Sequence, residues 1–242
     1  MTGRKIPQLM LALDTDGPES TLETAKKVIG LVPVVKVGPV VLSLDKKDLV
    51  GALKDMGFQV FVDVKLHDIP NTVEHAVRGW EKRGADFLTV HASGGRKMLE
   101  AAAGASRSVK LLAVTVLTSL SPGELKELGW GEEGSDLEKR VLSFGQMAME
   151  AGIPGIVSSL KETPALRKAL GPAAILVCPG LRPAGAARDD QSRSATPAEA
   201  GRSEANYLVV GRPVLQSSDP AATIRELREA LVLFSAQANP GG

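Results

Sequence analysis

The stretch "FVDVKLHDIPNT", residues 61–72, sets Asp63, Lys65 and Asp68 at the end of an apolar run. An ammonium fixed between carboxylates can stabilise an anion as it develops and then deliver a proton to it. The neighbouring carboxylate holds that ammonium in position. Left unpaired in an apolar surround, the same charges would cost stability. Asp14 in "LALD" and Lys36 in "VVKVG" also close apolar runs. Whether these groups can act together depends on the elements that carry them.

Short β-branched or apolar runs recur as "LMLALD" (9–14), "VVKVG" (34–38), "FVDVKL" (61–66), "FLTVHA" (87–92), "LLAVTVL" (111–117), "GIVSS" (155–159), "AILVCPG" (174–180) and "YLVVGR" (207–212). Amphipathic helical stretches lie between most of them. Ser20 and Glu23 have the spacing of a capping box. Val73, Ala76, Val77 and Trp80 make a helical stripe that Gly84 would end, and Leu49, Ala52, Leu53 and Met56 make another, ended by Gly57. Eight strands alternating with helices predict a closed (β/α)8 barrel, an architecture of about 250 residues. An open doubly wound sheet is the rival, but its first turn carries a glycine-rich fingerprint that "LALDTDGP" lacks. No linker or low-complexity block divides the chain, so residues 1–242 are read as a single barrel domain.

Barrel enzymes place their reactive groups at the C-terminal strand ends. Alternation along a strand then assigns faces. Leu9, Leu11 and Leu13 share the outer face, leaving Asp14 inward. Val35 and Val37 pack outward, leaving Lys36 inward. Val62, Val64 and Leu66 pack outward, leaving Asp63 and Lys65 together inside, with Asp68 starting the loop. Four inward charges from three strands are expensive to desolvate, which favours a working site over a solvated rim of self-neutralising charge. His67 alternates outward and His91 inward; both read as structural. Cys178 reads as a small core residue. The three histidines lack metal-ligand spacing, so no metal is expected.

A net charge of +1 gives no basic field for nucleic acid or an acidic membrane, and 3% aromatic residues offer no stacking platform for single strands. One cysteine excludes an internal disulfide and fits a reducing compartment. No apolar run is long enough to span a bilayer, and "MTGRKIPQLMLALD" lacks a signal-peptide core. A soluble cytoplasmic protein is expected.

Barrels commonly bind phosphate with the loops after strands seven and eight. Those loops here are "PGLRPAGAARDDQSR" and "GRPV". Gly211 admits a ligand to the backbone, Arg212 offers a planar fork for two oxygens, and Gln191 could donate from the longer loop. Residues 182–196, rich in Gly, Ala, Ser and charge, read as a lid over the phosphate.

With these residues in view, the chain resembles the orotidine 5'-phosphate decarboxylase family from "LALD" to "GRPV". "DVKLHDIPNT" is similar to that family's D-x-K-x-x-D-I-P-N-T signature, and "VKVG", "VHASGG", "VTVLTS", "PGLRP", "DDQ" and "GRPV" follow in the family's order. "LTVHA" and "VCPGL" depart from the commoner Asn and Thr of other members. The resemblance implies decarboxylation of orotidine 5'-phosphate to UMP without metal or organic cofactor. It assigns Asp14 and Lys36 to the ribose hydroxyls within the charged array, and Asp63 and Lys65 to the reacting C6–carboxylate bond. Asp68 and Ile69 would reach into the neighbouring subunit's site in a homodimer, with Thr72 closing the same signature as a substrate-binding residue. Thr118 and Ser119 would address the pyrimidine edge, and Arg182, Gln191, Gly211 and Arg212 the phosphate. Two rivals are a magnesium-dependent sugar-phosphate decarboxylase or aldolase of the same barrel suprafamily, and a catalytically inert nucleotide-binding or scaffold barrel. The first carries an acidic residue where this chain has Lys36, and a lysine repels the metal. The second leaves an intact constellation without use.

Overall fold

Strands covered on both faces need no polar face, so their sequences run as continuous Val, Leu and Ile. In the computed structural model, which describes residues 6–130, 134–182 and 195–237, these runs form β1 (Gln8–Ala12), β2 (Val34–Val37), β3 (Gln59–Leu66), β4 (Phe87–His91), β5 (Lys110–Val114), β6 (Gly155–Val157), β7 (Ile175–Pro179) and β8 (Tyr207–Val210). They pair in parallel in chain order, and β8 closes on β1 from Gln8↔Tyr207 to Leu11↔Val210. The expected single-domain (β/α)8 barrel is the fold.

Alternation divides the core into two shells. Leu9, Leu11, Leu13, Val35, Val37 and Val62 pack outward against the helices. Met10, Ala12, Val34, Phe61, Phe87, Leu112, Val177 and Val209 fill the barrel axis. Phe87 meets Phe61 and Tyr207 edge to face, with centroids 6.3 and 5.6 Å apart, which plugs the lower interior. Open space is left at the C-terminal mouth. At the opposite end, Asp86 accepts Lys54 Nζ at 2.7 Å and the Val60 amide at 2.7 Å, so charge there ties strand starts together.

Several strands end earlier than the sequence suggests. β1 stops at Ala12, β5 at Val114 and β8 at Val210. For β5 the limit is its partner: β6 has three residues and meets β5 only from Leu112 to Val114. The Ser20–Glu23 capping box does not form. Pro18 starts the Pro18–Lys26 helix with Gly17 as its cap, which puts Ser20 inside the helix, donating to the Gly17 carbonyl at 2.9 Å. The same box does form at Ser121–Glu124 and Thr196–Glu199, and its Glu-to-amide half forms at Ser159–Glu162. Gly57 and Gly84 end their helices with φ of +89° and +85°, as expected.

The Pro197–Gly201 helix touches the long Pro220–Gln237 helix at a glycine. A Cβ on Gly201 would stand 2.9 Å from Phe234 Cβ, 3.0 Å from the Leu231 carbonyl and 3.1 Å from the Ser235 amide. Two of these are backbone atoms, so the helices would have to part. Gly201→Ala is expected to lower stability by about 1–3 kcal/mol, read as an earlier urea midpoint at unchanged slope.

Candidate active site

The end of β3 is irregular. Its ladder with β4 runs through Phe61↔Phe87 and Val62↔Leu88, breaks, and resumes at Leu66↔Val90. Asp63, Val64 and Lys65 therefore stand against Thr89 alone. Lys65 absorbs the excess with a left-handed backbone, φ +46°, which is costly for a residue with a side chain. Its amide donates to Thr89 Oγ1 at 2.8 Å, and Thr89 Oγ1 donates to Asp63 Oδ1 at 3.0 Å. A single buried hydroxyl thus joins both ends of the bulge.

The Asp63 carboxylate lies between two ammonium groups. Lys65 Nζ is 3.0 Å from Oδ1 and 3.1 Å from Oδ2, and Lys36 Nζ is 3.3 Å from Oδ2. Lys36 also reaches Asp14 at 3.2 Å. Burial works against charge on Asp63, but Lys36 and Lys65 outweigh it and hold its pKa below the ordinary carboxylate value. Burial likewise opposes the charge on Lys36, and the Asp63 and Asp14 carboxylates more than offset it, raising its pKa. Asp63 and Lys36 are both ionised at neutral pH. Side-chain exposure is 12% for Lys36 and 37% for Lys65, so Lys65 presents the more accessible ammonium.

These four charges line one side of a cavity of about 520 Å³ at the barrel mouth. The side built from β5 to β8 is largely apolar, with Val114, Val157, Val177, Pro179 and Val209, to which Val116 adds just beyond β5. Thr118, Ser119, Ser158, Arg182, Gly211 and Arg212 complete the polar lining. Gly211 keeps the wall thin: a Cβ there would be 3.4 Å from that of Ala12. Arg182 is nearly buried, and its amide donates to the Ala195 carbonyl at 2.9 Å.

Of the residues singled out from the sequence, Asp14, Lys36, Asp63, Lys65, Thr118, Ser119, Arg182, Gly211 and Arg212 share this cavity. Asp68, Ile69 and Thr72 do not line it. They are exposed where the chain leaves β3 for the Pro70–Lys82 helix, and Asp68 Oδ1 accepts the Ile69 amide at 2.6 Å. Gln191 and most of the suggested lid lie outside the described residues. Thr89 and Ser158 escaped the sequence reading. Thr89 shares the inward alternation of Phe87 and His91, and that signal could have marked it.

The two rim histidines stack on one another with centroids 5.4 Å apart, His67 exposed and His91 half-buried. Burial first, then His67 and Lys65, pushes His91 down to about 4, and its Nδ1 lies 2.7 Å from Ser93 Oγ. His91 is neutral at physiological pH. Burial raises the Cys178 thiol, leaving it protonated and inert. Among the described residues, no cluster of three or more His, Cys, Asp or Glu is placed to hold a metal ion, and no helix is long and apolar enough to cross a membrane.

Comparison with known proteins places this geometry in a family. The family model described as orotidine 5'-phosphate decarboxylase / HUMPS family matches residues 7–227. An orotidine 5'-phosphate decarboxylase of Opitutus terrae is 42% identical over 223 residues, 90% of this chain and 96% of that protein. One of an Anaeromyxobacter species is 47% identical over 208 residues, 86% of this chain and 90% of that protein. The crystal structure of orotidine 5'-phosphate decarboxylase from Lactobacillus acidophilus superposes with a TM-score of 0.81 at 32% identity, covering 94% of this chain and 99% of that one. The chain belongs to the orotidine 5'-phosphate decarboxylase / HUMPS family.

Proposed function

We propose that this protein decarboxylates orotidine 5'-phosphate to UMP in pyrimidine biosynthesis, with Lys65 as the group that stabilises and then protonates C6. The observation that carries this reading is the Asp63 carboxylate clamped by Lys36 and Lys65 at the open end of the barrel. Heterolysis of the C6–carboxylate bond releases carbon dioxide and leaves the electron pair on C6, in the plane of the ring. No conjugated sink receives it, the service a cofactor often supplies. A fixed ammonium supplies opposing charge where the anion forms, then gives C6 a proton that solvent replaces on the lysine. Asp63 holds the ammonium and faces the departing carboxylate. Asp14 and Lys36 take the ribose hydroxyls, Thr118 and Ser119 the pyrimidine edge, and Arg182, Gln191, Gly211 and Arg212 the phosphate. Contacts to a phosphate remote from C6 contribute by drawing the site closed around the ring.

The reaction so read uses no metal or organic cofactor. A magnesium-dependent sugar-phosphate enzyme fits poorly, because the Lys36 ammonium occupies the ground between Asp14 and Asp63 where a cation would sit. One buried cysteine fits a reducing compartment such as the cytoplasm.

Asp68 belongs, in this reading, to the site of a second copy in a homodimer, with Ile69 beside it. Its carboxylate lies outside its own chain's cavity, and Val40 and Ile69, which follow the ends of β2 and β3, are exposed at that end of the barrel. Apolar side chains at one end suit an isologous contact.

Loss of orotidylate absorbance with purified protein in EDTA tests the activity. Turnover is expected; activity that EDTA abolishes would sink the metal-free reading. Lys65→Ala is expected to lower kcat by more than about a thousandfold in a folded barrel, and near-normal turnover would remove Lys65 as proton donor.

Co-expression tests the shared site. Lys65→Ala and Asp68→Ala homodimers should each be nearly inactive, since each lacks one group at both sites. A mixed dimer has one intact site and one lacking both groups. Random pairing makes about half the dimers mixed, so about a quarter of wild-type activity should return. Two affinity tags isolate the mixed dimer, and if it is no more active than its parents, Asp68 acts within its own chain or not at all.

A further inference from the structure

We infer that Thr89 is a positioning residue for this reaction: its hydroxyl, opposite the three-residue bulge of β3, fixes the Asp63 carboxylate and the Lys65 backbone relative to one another. The inference rests on the role proposed for Lys65 and Asp63. Thr89 is fully buried and does not line the cavity, so it acts only through the residues it holds.

Three observations carry it. The register places Thr89 alone against Asp63, Val64 and Lys65, so no backbone ladder on the β4 side fixes the spacing of those residues. The Thr89 hydroxyl replaces the ladder, accepting from the Lys65 amide at 2.8 Å and donating to Asp63 Oδ1 at 3.0 Å. Lys65 meanwhile has a left-handed backbone that relaxes unless its surroundings over-determine it. Without the hydroxyl, the Lys65 amide loses its acceptor. The carboxylate is then free to turn about its own bond toward Lys36 and Lys65. The ammonium would move by a fraction of an ångström to an ångström, and displacement on that scale at a reacting centre costs up to about a hundredfold in rate.

Thr89→Val keeps the shape and removes the hydroxyl; Thr89→Ser keeps the hydroxyl and removes a methyl. The valine variant is expected to lose about tenfold to a hundredfold in kcat while its Kd for UMP, read by titration, stays within about threefold of wild type. The serine variant should retain kcat within about threefold. The pH profile of kcat should shift for valine and not for serine, since the hydroxyl is among the groups that keep Asp63 ionised. A structural role would instead lower thermal stability with kcat per folded molecule unchanged. If valine does not accumulate as folded protein, Ala and Ser at this position carry the same comparison through one oxygen. Unchanged kcat in folded Thr89→Val, or Ser as impaired as Ala, overturns the inference. A Lys65→Ala variant assayed alongside separates the two proposals: if it is inactive while Thr89→Val is normal, only the role of Thr89 fails.

Discussion

A carboxylate removed from water is stable only where opposite charge and hydrogen bonds replace what the solvent gave it, and Asp63 is placed in that way. Lys36, Lys65 and Thr89 together meet both of its oxygens. Removing any one partner leaves the others mismatched, so the group behaves as a unit. The rest of the barrel mouth follows from this requirement. β2 must deliver Lys36 from one side, β3 must carry Asp63 and Lys65 on one face, and β4 must present a hydroxyl from the other side. An apolar side built by β5 to β8 faces them and lowers the local dielectric for the shielded Lys36–Asp63 pair.

The barrel supplies this placement because its two shells are separately packed. Outward residues bind the helices to the sheet, and the aromatic plug around Phe87 fills the axis below the site. Strand ends above the plug are then free of packing duty. Charges at the opposite end serve a different purpose, as the Lys54–Asp86 pair does in holding strand starts. Position along the strand, more than residue type, separates the charges that line the cavity from those that tie strands together.

Much of this was legible in the sequence. Alternation put Asp63, Lys65 and Lys36 on the inner faces, and Asp14 arrives beside Lys36 although β1 has already ended. What alternation cannot register is a ladder out of step. Period two assumes one partner per residue, and β3 carries three residues opposite one. Alternation marks Thr89 as inward but not that its hydroxyl meets Asp63 and the Lys65 amide; on a regular strand it would be one more β-branched filler. The Ser20–Glu23 pattern failed differently, because Pro18 sets the helix start before the serine is reached. Asp68 shows a third limit, since its spacing within the motif is plain, yet it is exposed beyond the end of β3, accepts the Ile69 amide and does not line the cavity.

The irregularity of β3 also bears on how this barrel can change. Shortening β3 by two residues between Val62 and Leu66 would restore an even ladder with β4 and relieve the left-handed lysine. Such a deletion heals the sheet and takes at least one of Asp63 and Lys65 from the mouth. An even sheet and the charged array are therefore alternatives at this point: the bulge costs pairing with β4 and gives Asp63 and Lys65 their places.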